Sequence, residues 1–141
     1  MRRGSRLVLA CAWLAALAAC DNSGSSTTSP TPAAASTVET FNGTVQPGGS
    51  DAHTFTVSQF GAVNVTLTNA GPPPTIFMGL GIGSPASDGS CTVPTTASAT
   101  VQAGSAPQLS GTAQAGTYCV KVSDIGNAAG PIAYTVTVAH S

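Results

Sequence analysis

From Thr37 onward the chain is built of short runs in which apolar and polar side chains change places at every second residue. None of these runs shows the 3.6-residue period of a helix. Ala62–Thr68 sets Val63, Val65 and Leu67 on one face against Asn64, Thr66 and Thr68 on the other. Ala52–Ser58 does the same with His53, Phe55 and Val57, Thr117–Ser123 with Tyr118, Val120 and Val122, and Ile132–Ala139 with Tyr134, Val136 and Val138. A strand with one buried face needs this pattern, because successive side chains leave its backbone on opposite sides. Thr75–Ile82 places Ile76, Met78, Leu80 and Ile82 together, with Gly79 and Gly81 opposite, where a neighbouring segment can approach the backbone closely. Val38–Gln46 reads as a first strand, and Ala97–Gln102 and Gln108–Ala113 as weaker ones. The runs are separated by turn and loop signals at Pro47-Gly48-Gly49, Asn69–Pro74, Gly83–Gly89 and Asp124–Pro131. About eight short antiparallel strands in one domain over 37–141 predict an all-β fold, a β-sandwich of jelly-roll type.

The start of the chain is different. Arg2, Arg3 and Arg6 precede a thirteen-residue apolar run, Leu7–Ala19. Basic, then apolar, then small is the order of a secretory signal peptide. The run is shorter than the roughly 20 residues a spanning helix needs. Its end, Leu17-Ala18-Ala19-Cys20, resembles the lipobox of bacterial lipoproteins. That resemblance implies removal of residues 1–19 and attachment of a diacylglyceryl group to the Cys20 thiol. It also implies acylation of the new amine, palmitate being the usual acyl group. Two or more acyl chains give stable anchoring where one is marginal. The domain would then lie outside the cytoplasm, held to the cell membrane or the outer membrane. Asp21 resembles an inner-membrane retention signal of some Gram-negative bacteria. Asp21–Ser36 is Ser/Thr/Pro-rich and has no large apolar side chain, so 20–36 reads as a lipidated cysteine on a flexible linker.

Charge narrows the partners. All three arginines lie in the signal segment, which leaves Lys121 as the only Lys or Arg after residue 19, against five acids, a formal charge of −4. With no basic patch, the composition argues against nucleic acid and against electrostatic binding to anionic lipid; the lipid anchor must make the membrane contact. Cys91 and Cys119 are the two cysteines beyond the anchor. In an exported protein such a pair reads as a disulfide. The competing metal reading lacks a C-x-x-C and paired histidines. Cys11 lies in the apolar run and reads as a small hydrophobe.

Four pieces recur in a known order: Ser50–Val57, Gly61–Leu67, Ala115–Val122 and Tyr134–Val138. Together they resemble the bacterial pre-peptidase C-terminal (PPC) domain, a jelly-roll β-sandwich often appended to exported enzymes. The resemblance spans roughly 38–139 and implies an accessory rather than a catalytic part. The residues themselves agree: Asp51 reads as capping the turn before an alternating strand, and Gly116 as making the tight turn into the strand bearing Tyr118. Relatives often carry acids entering the strand matched by Thr75–Ile82. Here that stretch is Pro74-Thr75-Ile76-Phe77, so the calcium role of such relatives is not carried over, and no peptidase is read within these residues.

Reactive constellations are not evident. His53 reads as structural, and His140 as solvated near the chain end. Gly48-Gly49-Ser50-Asp51-Ala52 lacks the last glycine of a nucleophile elbow. Gly79-Leu80-Gly81-Ile82-Gly83 lacks G-x-G-x-x-G spacing and a following helix. Calcium would need loops to gather Asp51, Asp88 or Asp124 with backbone carbonyls. The sequons at Asn42 and Asn64 read as chance. Most of the aromatics Phe41, Phe55, Phe60, Phe77, Tyr118 and Tyr134 fall on core faces, leaving few for stacking on sugars. The reading is therefore a lipid-anchored, non-catalytic binding or accessory module for envelope protein or polysaccharide. No catalytic residue, metal or cofactor is assigned. A purely structural envelope lipoprotein is the alternative, and a hydrolase the more distant one.

Overall fold

The structure is a computed structural model and describes residues 36–141. The signal segment, the lipobox Leu17–Cys20 and the linker up to residue 35 lie outside the described residues. Nine strands form two antiparallel sheets facing each other: β1 (Thr37–Val45), β2 (Ser50–Val57), β3 (Gly61–Gly71), β4 (Met78–Pro85), β5 (Cys91–Thr92), β6 (Ser98–Val101), β7 (Leu109–Ala113), β8 (Gly116–Asp124) and β9 (Ile132–His140). The first sheet runs β1-β9-β3-β7. The second runs β2-β8-β4, with β5 and β6 sharing the far edge of β4. The expected all-β sandwich is what is found; its ninth strand is the two-residue β5.

The alternation decides which residues meet between the sheets. Val63, Val65 and Leu67 of β3 and Tyr134, Val136 and Val138 of β9 face Phe55 and Val57 of β2, Met78 and Leu80 of β4, and Val120 and Val122 of β8. Each fully buried aliphatic side chain of this kind contributes about 1.5–3 kcal/mol. Ile76 joins the core ahead of β4, as its place on the Met78–Leu80 face predicts.

Four local expectations are corrected. Asn69–Gly71 belong to β3 rather than to a loop, because the register against β9 shifts between Leu67 and Asn69. The extra residue, Thr68, is a bulge that lets pairing resume with Ala70 buried. Gly83–Pro85 extend β4, since Ser84 and Pro85 find partners in Thr92 and Cys91. Asp51 lies inside β2, and the turn before that strand is closed by Gly49 N–H to Gln46 O. His140 is 4% exposed and not solvated: it pairs with Thr37 of β1 on one side and Val63 of β3 on the other.

Candidate functional site

The outer face of the second sheet carries a groove of about 400 Å³. Its floor is the backbone of Gly79 and Gly81 on β4, the two positions whose missing side chains the alternation points outward. In register beside them stand Ser123 and Lys121 of β8 on one side and Thr100 and Ser98 of β6 on the other. One end is closed by the chain that follows β5. A Cβ on Gly81 would collide with Val93, and one on Gly83 with the Thr92 carbonyl, so glycine at both positions is what lets this segment cross the sheet. Cys91 and Cys119 form a disulfide that pins the segment to β8. Beyond Gly79 the outward residues are Phe77 and Ile125, 46% and 48% exposed. The groove thus runs past hydroxyls and one lysine to a covalently fastened wall.

Lys121 is half-buried and forms no ion pair with any described residue. The outward residues in register with it are Ala52 and Gly81, both neutral. The acids of the domain are engaged elsewhere. Asp124 accepts hydrogen bonds from the backbone N–H of Gly48, Gly126, Asn127 and Ala128. These donors, Gly48 foremost, hold its carboxyl below the usual carboxylate range. Asp88 accepts from Ser90 in the β4–β5 turn, and hydrogen bonds from Ser90, its hydroxyl first, lower its pKa too. Asp51, Asp88 and Asp124 are therefore in three separate settings. Among the described residues, no three His, Cys, Asp or Glu side chains gather as a metal-holding group.

A second feature lies where β1 and β2 bring the sheets together. Tyr134 donates its hydroxyl proton to Asp51 Oδ2 at 2.7 Å and stands 2.7 Å from His53 Nε2. With the phenol proton committed, His53 must donate from Nε2. Phe41 stacks on the imidazole at 4.9 Å. Gly43 makes room, since a Cβ there would overlap both Asp51 Oδ2 and the Tyr134 hydroxyl. Burial first, then the Asp51 hydrogen bond and charge, push the phenol far above the usual tyrosine range. At 2% exposure Tyr134 is out of reach of a solute. His140 Nε2 is 2.8 Å from Glu39 Oε1, a contact between neighbouring strands β9 and β1 of the first sheet. Asp51, His53, Phe41 and Tyr134 tie the two sheets together, which agrees with the structural reading of His53.

A third feature is an apolar cleft of about 240 Å³ at the opposite side, lined by Phe55, Val63, Ile82, Leu109, Ala113 and Tyr118. It opens over Gly111, where a Cβ would meet nothing within 4 Å.

Of the expected site residues, Cys91 and Cys119 are joined as anticipated, while Cys20 and the lipobox lie outside the described residues. The sequence pointed to close packing at Gly79 and Gly81, but not to Ser98, Thr100, Lys121 and Ser123 as walls around them. Four of the six aromatics pack inward or against the core; Phe60 and Phe77 are exposed. A scan against protein-family models finds no match for the chain, and a search of curated proteins finds none either.

Proposed function

We propose that this chain is an extracytoplasmic lipoprotein, anchored through Cys20, whose sandwich is a non-catalytic module that holds cell-envelope polysaccharide in the outer-face groove. The observation that carries the reading is the groove itself. Its floor is the glycine backbone of β4, and its walls carry the hydroxyls of Thr100, Ser123 and Ser98, the last donating to the Thr95 carbonyl and still able to accept; exposed Phe77 precedes Gly79 by two residues. Sugars are recognised by hydrogen bonds to hydroxyls combined with apolar contact to the ring face, and this surface offers both. Support for an accessory role comes from the ordered strand motifs that resemble PPC domains. Support for the anchor comes from the basic start, the short apolar run and Leu17-Ala18-Ala19-Cys20.

Two measurements test the two halves. Cys20→Ala moves the protein from the detergent phase to the aqueous phase, and unchanged partitioning would defeat the anchor. The purified mature lipoprotein is retained saturably on an insoluble envelope polysaccharide. Ser98→Ala/Thr100→Val, which removes two hydroxyls and keeps the β-branched shape of Thr100 in β6, loses that retention while melting curves show the variant folded. Retention on no polysaccharide, or retention that ignores the double substitution, would overturn the binding role in favour of a structural one.

A further inference from the structure

The inference rests on the polysaccharide reading and concerns which glycan the groove selects. We infer that Lys121 makes it a site for a sparsely charged acidic glycan, one whose isolated carboxylates alternate with neutral sugars. Lys121 is the only Lys or Arg among residues 36–141, and it lines the groove rather than the open surface. It is half-buried without an ion-pair partner, whereas all four acids of that stretch sit outside the groove lining: Asp88 in the β4–β5 turn, Asp124 at the end of β8 with its carboxylate on the turn that follows, Asp51 in the inter-sheet seam and Glu39 on β1 against His140. An ammonium held beside hydroxyls and left unpaired favours one anionic group at that point, through a charge-assisted hydrogen bond.

The same count limits the charge density that fits. A second anion in the groove finds hydroxyls and backbone but no second cation, and the domain as a whole is net negative, one lysine against four acids. A densely sulfated or phosphorylated chain would place several charges where only one is answered. A uronic acid flanked by neutral sugars matches the layout: carboxylate on Lys121 and the hydroxyls of the same and neighbouring sugars on Ser98, Thr100 and Ser123.

The experiment compares four soluble probes on the purified mature lipoprotein by calorimetry. They are hyaluronan, in which carboxylated and neutral sugars alternate, the same polymer with its carboxyls reduced to alcohols, dextran, and dextran sulfate. Hyaluronan binds about tenfold or more tighter than its carboxyl-reduced form, the scale of a charged hydrogen bond. The advantage shrinks as salt is raised, disappears in Lys121→Met and persists in Lys121→Arg, with melting curves showing all variants folded. Equal binding of hyaluronan and its reduced form, or of wild type and Lys121→Met, overturns the inference while leaving the polysaccharide reading intact. Tighter binding of dextran sulfate overturns it as well, by showing unselective attraction to charge. Binding of none of the four, by folded protein, defeats the inference together with the reading beneath it.

Discussion

Removing the Cys91–Cys119 bridge tests how much of this small domain depends on one covalent tie. The bridged residues are 28 apart in sequence. In the chain-entropy treatment, opening a loop of that size returns about 3.5 kcal/mol to the unfolded state at 25 °C. Net stability of a single domain is about 5–15 kcal/mol, so this is a large share of it. At roughly 4–8 °C per kcal/mol for a domain of this size, the melting temperature falls on the order of 15–25 °C. Cys91→Ala/Cys119→Ala is the perturbation, with wild type under reductant as its chemical counterpart. Urea titration and thermal melting, each followed by circular dichroism, supply the assay. The two reduced forms agree with each other and remain folded at 25 °C. A second effect follows from geometry. Val93 closes the groove because its segment is pinned two residues earlier, so polysaccharide retention falls more than the residual folded fraction explains. A loss of stability under about 1 kcal/mol would refute the entropic argument. Full retention by the reduced protein would refute the role given to the fastened wall.

Three further outcomes are expected. Gly43→Ala destabilises by about 1–3 kcal/mol through overpacking against Asp51 and Tyr134, whereas Gly111→Ala, with open space around it, stabilises by about 0.5–1 kcal/mol through reduced chain entropy; paired denaturant titrations read both signs. Tyr134→Phe costs about 1–3 kcal/mol at neutral pH by leaving Asp51 and His53 without their bridge. It also flattens alkaline destabilisation. The folded phenol keeps its proton when the unfolded one loses it near pH 10, so the wild type binds more protons folded than unfolded and its stability falls as pH rises beyond that point. Asp124→Asn removes part of the acid sensitivity. The folded pKa lies below the unfolded one, so the contribution of Asp124 is complete above about pH 4 and is lost as pH falls through the folded value; melts between neutral pH and pH 2 show the variant less steep than wild type.

Strands β2, β3, β8 and β9 were legible because each buries one face, and one-sided burial writes itself into a sequence as a two-residue period. The departures arise where pairing, not patterning, sets the boundary. Nothing in Leu67-Thr68-Asn69 announces a bulge; β9 determines that pairing resumes after Thr68. Gly83–Pro85 become strand only because Cys91 and Thr92 return alongside. His140 was read as solvated from its nearness to the chain end, yet strands on both sides and Glu39 at its ring nitrogen hold it in place. The groove was half legible. Alternating glycines promised a close approach, but Lys121 and the two hydroxyls of β6 come beside them only through strand order, which no local pattern encodes.

The segment after the disulfide connects the groove to the core. Val93, Thr95 and Ser98 line the groove, whereas Thr96 and Ala97 line the apolar cleft on its other side. One short strap therefore separates a polar surface from the inter-sheet interior. The β1–β2 side of the sandwich is latched by side chains that reach across from sheet to sheet, Asp51 to Tyr134 and Phe41 to His53. At the strap side, a cleft opens over Gly111 instead. Packing there is thinner, and β6 pairs with β4 over only four residues. Holding the strap then falls to the Cys91 bridge and to the collar of contacts around Gly81 and Gly83.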